Sequence, residues 1–187
     1  MWCRALTRSG VDVCFSSGYN PHPRLSLPLP RSVGVAACDE LLCAQVWDVS
    51  EPASRIRNCL PEGCIVTNVE LREGKASFHA VSAAYEFPLR APAARDLSAR
   101  VSALNASAGQ AQAITVRRRV KDSEASRPID VGPYIASAVL AGDRVTVHSR
   151  ITLAGTVRVD EIMQLLGLEP GDLSGWVTRT SVQWERN

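Results

Sequence analysis

The sequence predicts an α+β fold, because amphipathic helical segments alternate along the chain with short segments of strand character. The clearest helix covers residues 158–166, where apolar side chains recur at the spacing of one helical face. The clearest strand covers residues 176–184, where alternate side chains would point to opposite faces of a sheet. The order of the predicted elements indicates two ferredoxin-like halves with mainly antiparallel sheets.

The first predicted half is residues 1–78, and its opening strand is missing from the predicted series. It begins with a helix over residues 2–9, which Gly10 is placed to end because glycine readily adopts left-handed backbone angles. A short apolar run then leads into a loop whose prolines exclude a helix or a central strand. The further predicted elements of this half are a strand over residues 41–49, a helix over 50–60 and a strand over 65–71.

The second predicted half is residues 79–187, and we expect the two halves to form one composite domain. Residues 121–127 are polar and lack periodicity, which is typical of a hairpin tip or a linker. The predicted elements are a strand over residues 85–89, a helix over 92–106, strands over 114–120, 135–139 and 144–151, a helix over 158–166 and a strand over 176–184.

Composition narrows the class of protein. Hydrophobic residues make up 45% of the chain and charged residues 21%, as in an ordinary globular protein. The net charge of +2 is too small to indicate nucleic-acid binding by itself. The chain has neither an apolar run of about 18 residues nor the hydrophobic region of a signal peptide, so we expect a cytoplasmic location without membrane contact. In that compartment the 6 cysteines are expected to stay free thiols.

The segment Gly-Tyr-Asn-Pro-His-Pro-Arg, residues 18–24, carries the strongest functional signal. Glycine permits unusual backbone angles and the prolines stiffen the loop. Arg24 is suited to fork onto a phosphate or carboxylate, while His22 is suited to donate a hydrogen bond or to move a proton. The candidate catalytic residue is His22, and the candidate ligand-binding residues are Gly18, Tyr19, Asn20, His22, Arg24 and Ser26.

A purely structural interpretation of this loop stays open. In it, Asn20 caps a turn, His22 bonds a backbone carbonyl and Arg24 pairs with an acidic neighbour. Cys14 lies beside the loop and would form a nucleophilic pair with His22 only if the fold brought the two side chains into contact.

Residues 16–26, with Leu29-Pro30 and Val33-Gly34-Val35, resemble the signature of a bacterial family of uncharacterised domains linked to radical-SAM proteins. The resemblance implies that the chain is fused to, or encoded beside, a radical-SAM protein with a cobalamin-binding-like region. That partner would carry an iron–sulfur cluster and S-adenosylmethionine, and this chain would hold no cofactor. The resemblance also implies an additional N-terminal strand. It continues through Leu60-Pro61-Glu62-Gly63, Pro133-Tyr134-Ile135, residues 157–161 and Arg179-Thr180.

The strongest basic cluster is a candidate nucleic-acid contact, because arginine side chains neutralise phosphates. In a strand, alternate side chains would point to opposite faces and split the cluster, and a charged edge strand is the alternative interpretation. The cluster consists of Arg117, Arg118, Arg119 and Lys121.

Paired cysteines raise the question of a metal site. Cys38 and Cys43, and likewise Cys59 and Cys64, are separated by a spacing that zinc sites use. Their places in a predicted strand and helix suit small buried hydrophobic residues equally well, so no metal site is predicted. The Cys-x3-Cys-x2-Cys arrangement of a radical-SAM cluster is missing, so the chain itself is not expected to be a radical-SAM enzyme.

Three functions therefore stay open. The first, which rests on the resemblance, is an accessory or substrate-presenting module of a radical-SAM system acting on RNA or tRNA. The second is a small autonomous hydrolase or transferase that uses His22 and Arg24. The third is a structural interaction domain without catalysis. The partners expected are a radical-SAM protein, RNA, and a second copy of the chain bound through an exposed sheet edge.

Overall fold

A computed structural model describes residues 1–47, 50–90, 96–108, 113–119 and 125–186 of the chain. It confirms a mixed α+β fold in which most strand pairs are antiparallel. The helices are α1 (Trp2–Arg8), α2 (Pro52–Arg57), α3 (Leu97–Ser107) and α4 (Val159–Leu166). The strands are β1 (Leu25–Ser26), β2 (Val35–Ala37), β3 (Cys43–Ala44), β4 (Phe78–Pro88), β5 (Thr115–Arg119), β6 (Ser126–Asp130), β7 (Ile135–Ala141), β8 (Arg144–Arg150) and β9 (Val177–Arg186).

The chain divides into two compact units. The first consists of Met1–Pro28 and Leu41–Phe78 together with Arg186, and the second of Leu29–Glu40 and His79–Glu185. The predicted division at residue 78 therefore differs from the structure over residues 29–40, which pack with the second unit. They do so because β2 pairs with β9 in that unit. None of the helices described is long and apolar enough to cross a membrane.

The first unit has a small core and little regular structure. Helix α1 confirms the predicted N-terminal helix, and it ends before Gly10, whose φ of 66° lies in the left-handed region. The buried side chains of Leu6, Val11 and Val13 form the core of this unit. Strand β1 pairs antiparallel with β3.

Several elements predicted for the first unit are shorter than expected or missing. The predicted helix over residues 50–60 ends at Arg57, because Asn58 is its C-cap. Only Cys43–Ala44 of the predicted strand over residues 41–49 is a strand, and residues 48 and 49 lie outside the described part. The predicted strand over residues 65–71 was wrong, because no strand within the described ranges supplies the hydrogen bonds that would form a ladder.

The second unit contains a five-stranded sheet in the order β2-β9-β4-β8-β7. Strand β8 pairs antiparallel with both β4 and β7, whereas β2 pairs parallel with β9. In chain order β4, α3, β7, β8, α4 and β9 follow the β-α-β-β-α-β pattern, with the antiparallel hairpin β5–β6 inserted after α3. No corresponding series occurs in the described residues of the first unit, so the predicted layout of two ferredoxin-like halves is not confirmed.

The core of the second unit lies between this sheet and its helices. Its most buried side chains include Phe87 of β4, Leu97 of α3, Val147 of β8 and Leu166 of α4. The predicted helix over residues 158–166 and the predicted strand over 176–184 are confirmed as α4 and β9. Residues 121–127 were predicted as a hairpin tip or a linker. Ser126 and Arg127 belong to β6 of the β5–β6 hairpin, because they pair with β5, and residues 121–124 lie outside the described part.

A buried arginine fixes the segment over residues 29–40 to the second unit. The side chain of Arg179 on β9 is 2% exposed. Its Nη1 donates to the Leu29 carbonyl at 3.0 Å, and its Nη2 lies 3.4 Å from Oε1 of Glu40. A further contact comes from Asp39, which accepts hydrogen bonds from the Val182 N–H and the Trp184 indole N–H. These contacts hold β2 against β9.

Candidate functional site

The loop over residues 18–24 starts from a junction of three chain segments in the first unit. The N–H of Cys14 donates to the carbonyl of Gln45 at 2.8 Å, and the N–H of Gln45 donates to the carbonyl of Arg24 at 2.9 Å. The N–H of Arg24 completes the ring by donating to the carbonyl of Cys14 at 2.8 Å. Because each segment donates to the next, the ring fixes the position of Arg24 at the base of the loop.

Ser16 and His22 close the loop above this junction. The Ser16 N–H donates to the His22 carbonyl at 2.8 Å, and the His22 N–H donates to Oγ of Ser16 at 3.0 Å. Below them, Phe15 and Pro23 form an antiparallel bridge. Gly18 has a φ of 138°, which residues with a β-carbon rarely adopt. The backbone of this loop is therefore held by its own hydrogen bonds, while residues 17–22 are exposed.

The side chains at the tip point into solvent. Tyr19 is 100% exposed, and Asn20 and His22 are also exposed. Within the described part of the chain, the side chains of these three residues make no hydrogen bond. The tip therefore offers an aromatic ring, an amide and an imidazole to an external molecule.

Arg24 lies at the base of the loop and is exposed as well, but its side chain has a hydrogen-bond partner. Its Nη1 lies 3.3 Å from Oε1 of Gln45, so Arg24 bonds an amide in place of the acidic neighbour considered from the sequence. Ser26, the last of the predicted ligand-binding residues, lies further along, on β1, where it pairs with Cys43. The structure thus groups residues 18–22 at the tip, and Arg24 and Ser26 stand apart from them.

The exposure of this loop bears on the chemistry it can support. Sites for small molecules are concave and bury most of the ligand, whereas residues 17–22 of this loop are all exposed. Its geometry is better suited to recognition of another macromolecule than to enclosing a small substrate. The role of His22 in catalysis stays a prediction. Cys14 is 3% exposed, so its thiol is shielded whereas His22 faces solvent.

The cysteines are free thiols in the structure, as the sequence predicted. Burial raises the pKa of the Cys43 thiol. Among the described residues, no group of three or more His, Cys, Asp or Glu side chains is arranged to hold a metal ion.

The basic cluster is divided by the structure. Arg118 of β5 turns inward and donates from Nε and Nη2 to both carboxylate oxygens of Glu161, the second at 2.8 Å. Arg117 is exposed, and its Nε donates to Oγ of Ser126 at 3.0 Å. Arg119 is exposed on the same strand, and Lys121 lies outside the described residues. Nucleic-acid binding by these residues stays a prediction, and Arg118 is already bound within the chain.

Glu161 joins the hairpin β5–β6 to helix α4. Its side chain is fully buried, and it also accepts the Arg158 N–H at 2.9 Å as part of a capping box. Burial acts to raise the pKa of Glu161, but hydrogen bonds from Arg118 and Arg158 and their positive charges outweigh it and lower this pKa. The hydrogen bond to Glu161 in turn raises the pKa of Arg118.

Sequence reasoning missed Gln45 and the partner of Arg118. Gln45 carries no local signal, because it meets Arg24 only after the chain has passed through the loop and β2. The position of Glu161 in the first turn of a helix could be predicted, since the acidic pair Asp160-Glu161 is typical of that turn. The sequence did not show that Arg118 supplies its counter-charge.

Comparison with known proteins gives one family. No curated protein matches the chain. The model of a family described as "Uncharacterized protein conserved in bacteria (DUF2344)" matches residues 1–162. This match covers most of the chain and includes the loop, β4 to β8 and the start of α4. The chain therefore belongs to the bacterial family of uncharacterized proteins DUF2344.

Proposed function

We propose that this chain is an accessory or substrate-presenting module that contacts a macromolecular partner through its Ser16–Arg24 loop. One observation carries the proposal: Tyr19 is fully exposed at the tip of a loop that Ser16 and His22 close. A large aromatic side chain on a pre-ordered loop gives contact area at a low cost in conformational entropy. Exposed tyrosines of this kind are frequent anchors of protein interfaces.

The partner proposed is a radical-SAM protein. Support for it comes from the sequence, since residues 16–26 resemble the signature of domains linked to such proteins. The partner would supply the iron–sulfur cluster and S-adenosylmethionine. The exposed tip of the loop supplies what docking requires: an aromatic ring, an amide and an imidazole without intramolecular hydrogen bonds among the described residues.

RNA is the substrate class proposed for presentation to that partner. Support for RNA comes from the outward face of β5, where Arg117 and Arg119 are exposed. Phosphate contacts by such side chains would make binding weaken as salt concentration rises. Arg118 is not part of this proposed surface, because its side chain is only 20% exposed and turns inward to the buried carboxylate of Glu161.

The experiment that tests the module is a binding titration with a purified radical-SAM protein of the kind that the resemblance implies as its partner. Replacement Tyr19→Ala should weaken binding by about tenfold or more, because loss of an interface anchor costs about 2 kcal/mol. Trp176→Ala removes an aromatic residue of the second unit that is 71% exposed, and it is the matched control. Equal affinities of wild type and Tyr19→Ala, or no binding by wild type, would contradict the loop as the docking element.

The same proteins distinguish the other functions. Turnover by the isolated chain that Trp176→Ala retains and His22→Ala loses would show an autonomous enzyme in place of a module. RNA binding that Arg117→Ala weakens while Tyr19→Ala leaves it unchanged would place the RNA surface on β5. If every variant still bound the partner and RNA, the structural interaction domain would be the better description.

A further inference from the structure

Residues 65–71 have the composition of a strand but no strand partner in the described part of the chain. Their sequence, Ile-Val-Thr-Asn-Val-Glu-Leu, is rich in β-branched residues, which favour strands. No helix, turn or ladder includes them. Their backbone forms one hydrogen bond with the described residues, from Nε of Arg57 to the Val66 carbonyl at 3.1 Å. A run of unpaired N–H and C=O groups is a template for pairing with another strand.

The ends of this segment expose large apolar side chains. Ile65 is 84% exposed and Leu71 is 60% exposed, whereas Val66 and Val69 are half-buried. An extended segment with apolar ends, whose backbone makes few hydrogen bonds to the described residues, gains both hydrogen bonds and buried apolar area when it pairs.

We propose that residues 65–71 pair antiparallel with the same residues of a second copy of this chain, symmetrically about Asn68. This register places Ile65 opposite Leu71 of the second copy at each end of the pair. Towards the centre it places Val66 opposite Glu70, Thr67 opposite Val69, and Asn68 opposite Asn68.

The sequence of the segment favours a second copy of the chain as its strand partner. Its apolar ends are equidistant from Asn68, so one register satisfies both copies and the assembly closes as a two-fold dimer. Glu70 meets a valine in this register, and no like charges lie directly opposite each other, which would destabilise the pair. An antiparallel pair of this length contains about six to eight hydrogen bonds between copies. Because an isolated two-stranded ribbon is only marginally stable, we expect the dimer to dissociate reversibly on dilution.

Charge substitutions at the ends of the segment test the register. In Ile65→Lys/Leu71→Lys, lysine lies opposite lysine, and dimerisation should weaken by about tenfold or more. In Ile65→Lys/Leu71→Glu, lysine lies opposite glutamate of the second copy, and the dimer should persist. Sedimentation equilibrium over a concentration series gives the dissociation constants, with circular dichroism as the check on folding. A monomeric wild type, or equal dissociation constants for the two charge variants, would overturn the proposal.

Crosslinking provides a second test that leaves the apolar ends intact. Asn68→Cys places two thiols opposite each other, and oxidation should trap a covalent dimer on a non-reducing gel. Glu70→Cys is the matched control, because its two thiols would be offset along the strands by about 13 Å, beyond the reach of a disulfide. Both variants retain the native cysteines, so the difference between them reports the new thiol. Equal crosslinking of both variants would rule out the register about Asn68. Equal crosslinking is also the result expected if the segment pairs with a strand of another protein.

Discussion

The side-chain amide of Asn105 on α3 hydrogen-bonds both the N–H and the C=O of Ala138 on β7. Each of the two hydrogen bonds is 2.7 Å long. Strand β7 is the last strand of the sheet and pairs with β8 on its other side. The amide therefore takes the place of a peptide group from a neighbouring strand, and it blocks the middle of an edge that would otherwise invite pairing.

Replacing Asn105 with alanine should lower the free energy of unfolding by about 1 kcal/mol. Two hydrogen bonds contribute about 0.5–1.5 kcal/mol each, and the higher helix propensity of alanine offsets part of their loss. Ser102→Ala, at an exposed position of the same helix, is the control and should be neutral or stabilising. Urea unfolding monitored by circular dichroism measures the difference, and equal stability of wild type and Asn105→Ala would contradict this role of Asn105.

Arg118→Met should destabilise the protein by about 3 kcal/mol, because it leaves the carboxylate of Glu161 buried without its charged partner. Arg117→Met changes an exposed arginine of the same strand and should cost less than about 1 kcal/mol. The double replacement Arg118→Met/Glu161→Leu should be more stable than Arg118→Met alone, since no charge is left unpaired. A thermal or urea unfolding series measures all three, and a double variant less stable than Arg118→Met would refute the pairing.

The contribution of Glu161 to the free energy of unfolding should decrease as the pH falls. Its pKa is lower in the folded state than in the unfolded chain, so its contribution is complete above the unfolded value of about 4.3. The contribution is lost as pH falls through the lower folded-state pKa. The difference in unfolding free energy between wild type and Glu161→Gln should therefore be constant from about pH 7 to pH 5 and shrink below about pH 4.

Urea titrations at several pH values measure this difference. Asp160→Asn is the control, because it removes an exposed carboxylate from the same helical turn and should change stability by about 0.5 kcal/mol at neutral pH. A gap between wild type and Glu161→Gln that widens as the solution is acidified would show that Glu161 is not held in its charged form by Arg118.

The elements that could be predicted from the sequence are those with strong local signals. Helix α4 has apolar residues on one face and Gly167 at its end, with φ of 63°, and it was predicted within one residue. Strand β4 begins seven residues earlier than predicted, at Phe78 rather than Tyr85, because its alanine-rich first part lacks an alternating pattern. Residues 65–71 show the reverse case, since their alternation predicts a strand but pairing requires a partner that the sequence pattern does not specify.

The loop could be predicted from the sequence because glycine and proline mark it. The contacts that hold the loop in place could not be predicted. Gln45 reaches Arg24 through a ring of backbone hydrogen bonds among three segments, and this arrangement depends on tertiary structure. The sequence likewise predicted that alternation would separate the arginines of β5, but the carboxylate that binds Arg118 lies on α4. Residues that position others through distant contacts carry no periodic signal of their own.

The closure of the loop by Ser16 gives a prediction about its order in solution. Ser16→Ala removes the Oγ that accepts the His22 N–H, while the Ser16 N–H can still donate to the His22 carbonyl. Loss of a hydrogen bond of about 1 kcal/mol should speed amide hydrogen exchange at His22 by about fivefold. Global stability should hardly change, because the loop is exposed and contributes little to the core of the first unit.

Hydrogen exchange followed by NMR gives the rate at His22 in each variant. Ser17→Ala, at the exposed neighbouring position, is the matched control and should leave that rate unchanged. A pre-ordered loop loses less entropy when it binds, so Ser16→Ala should also weaken the proposed partner's binding, although it leaves Tyr19 in place. Unchanged exchange at His22 in Ser16→Ala would mean that the prolines alone hold the loop, and the hydrogen bond to Ser16 would then be incidental to its order.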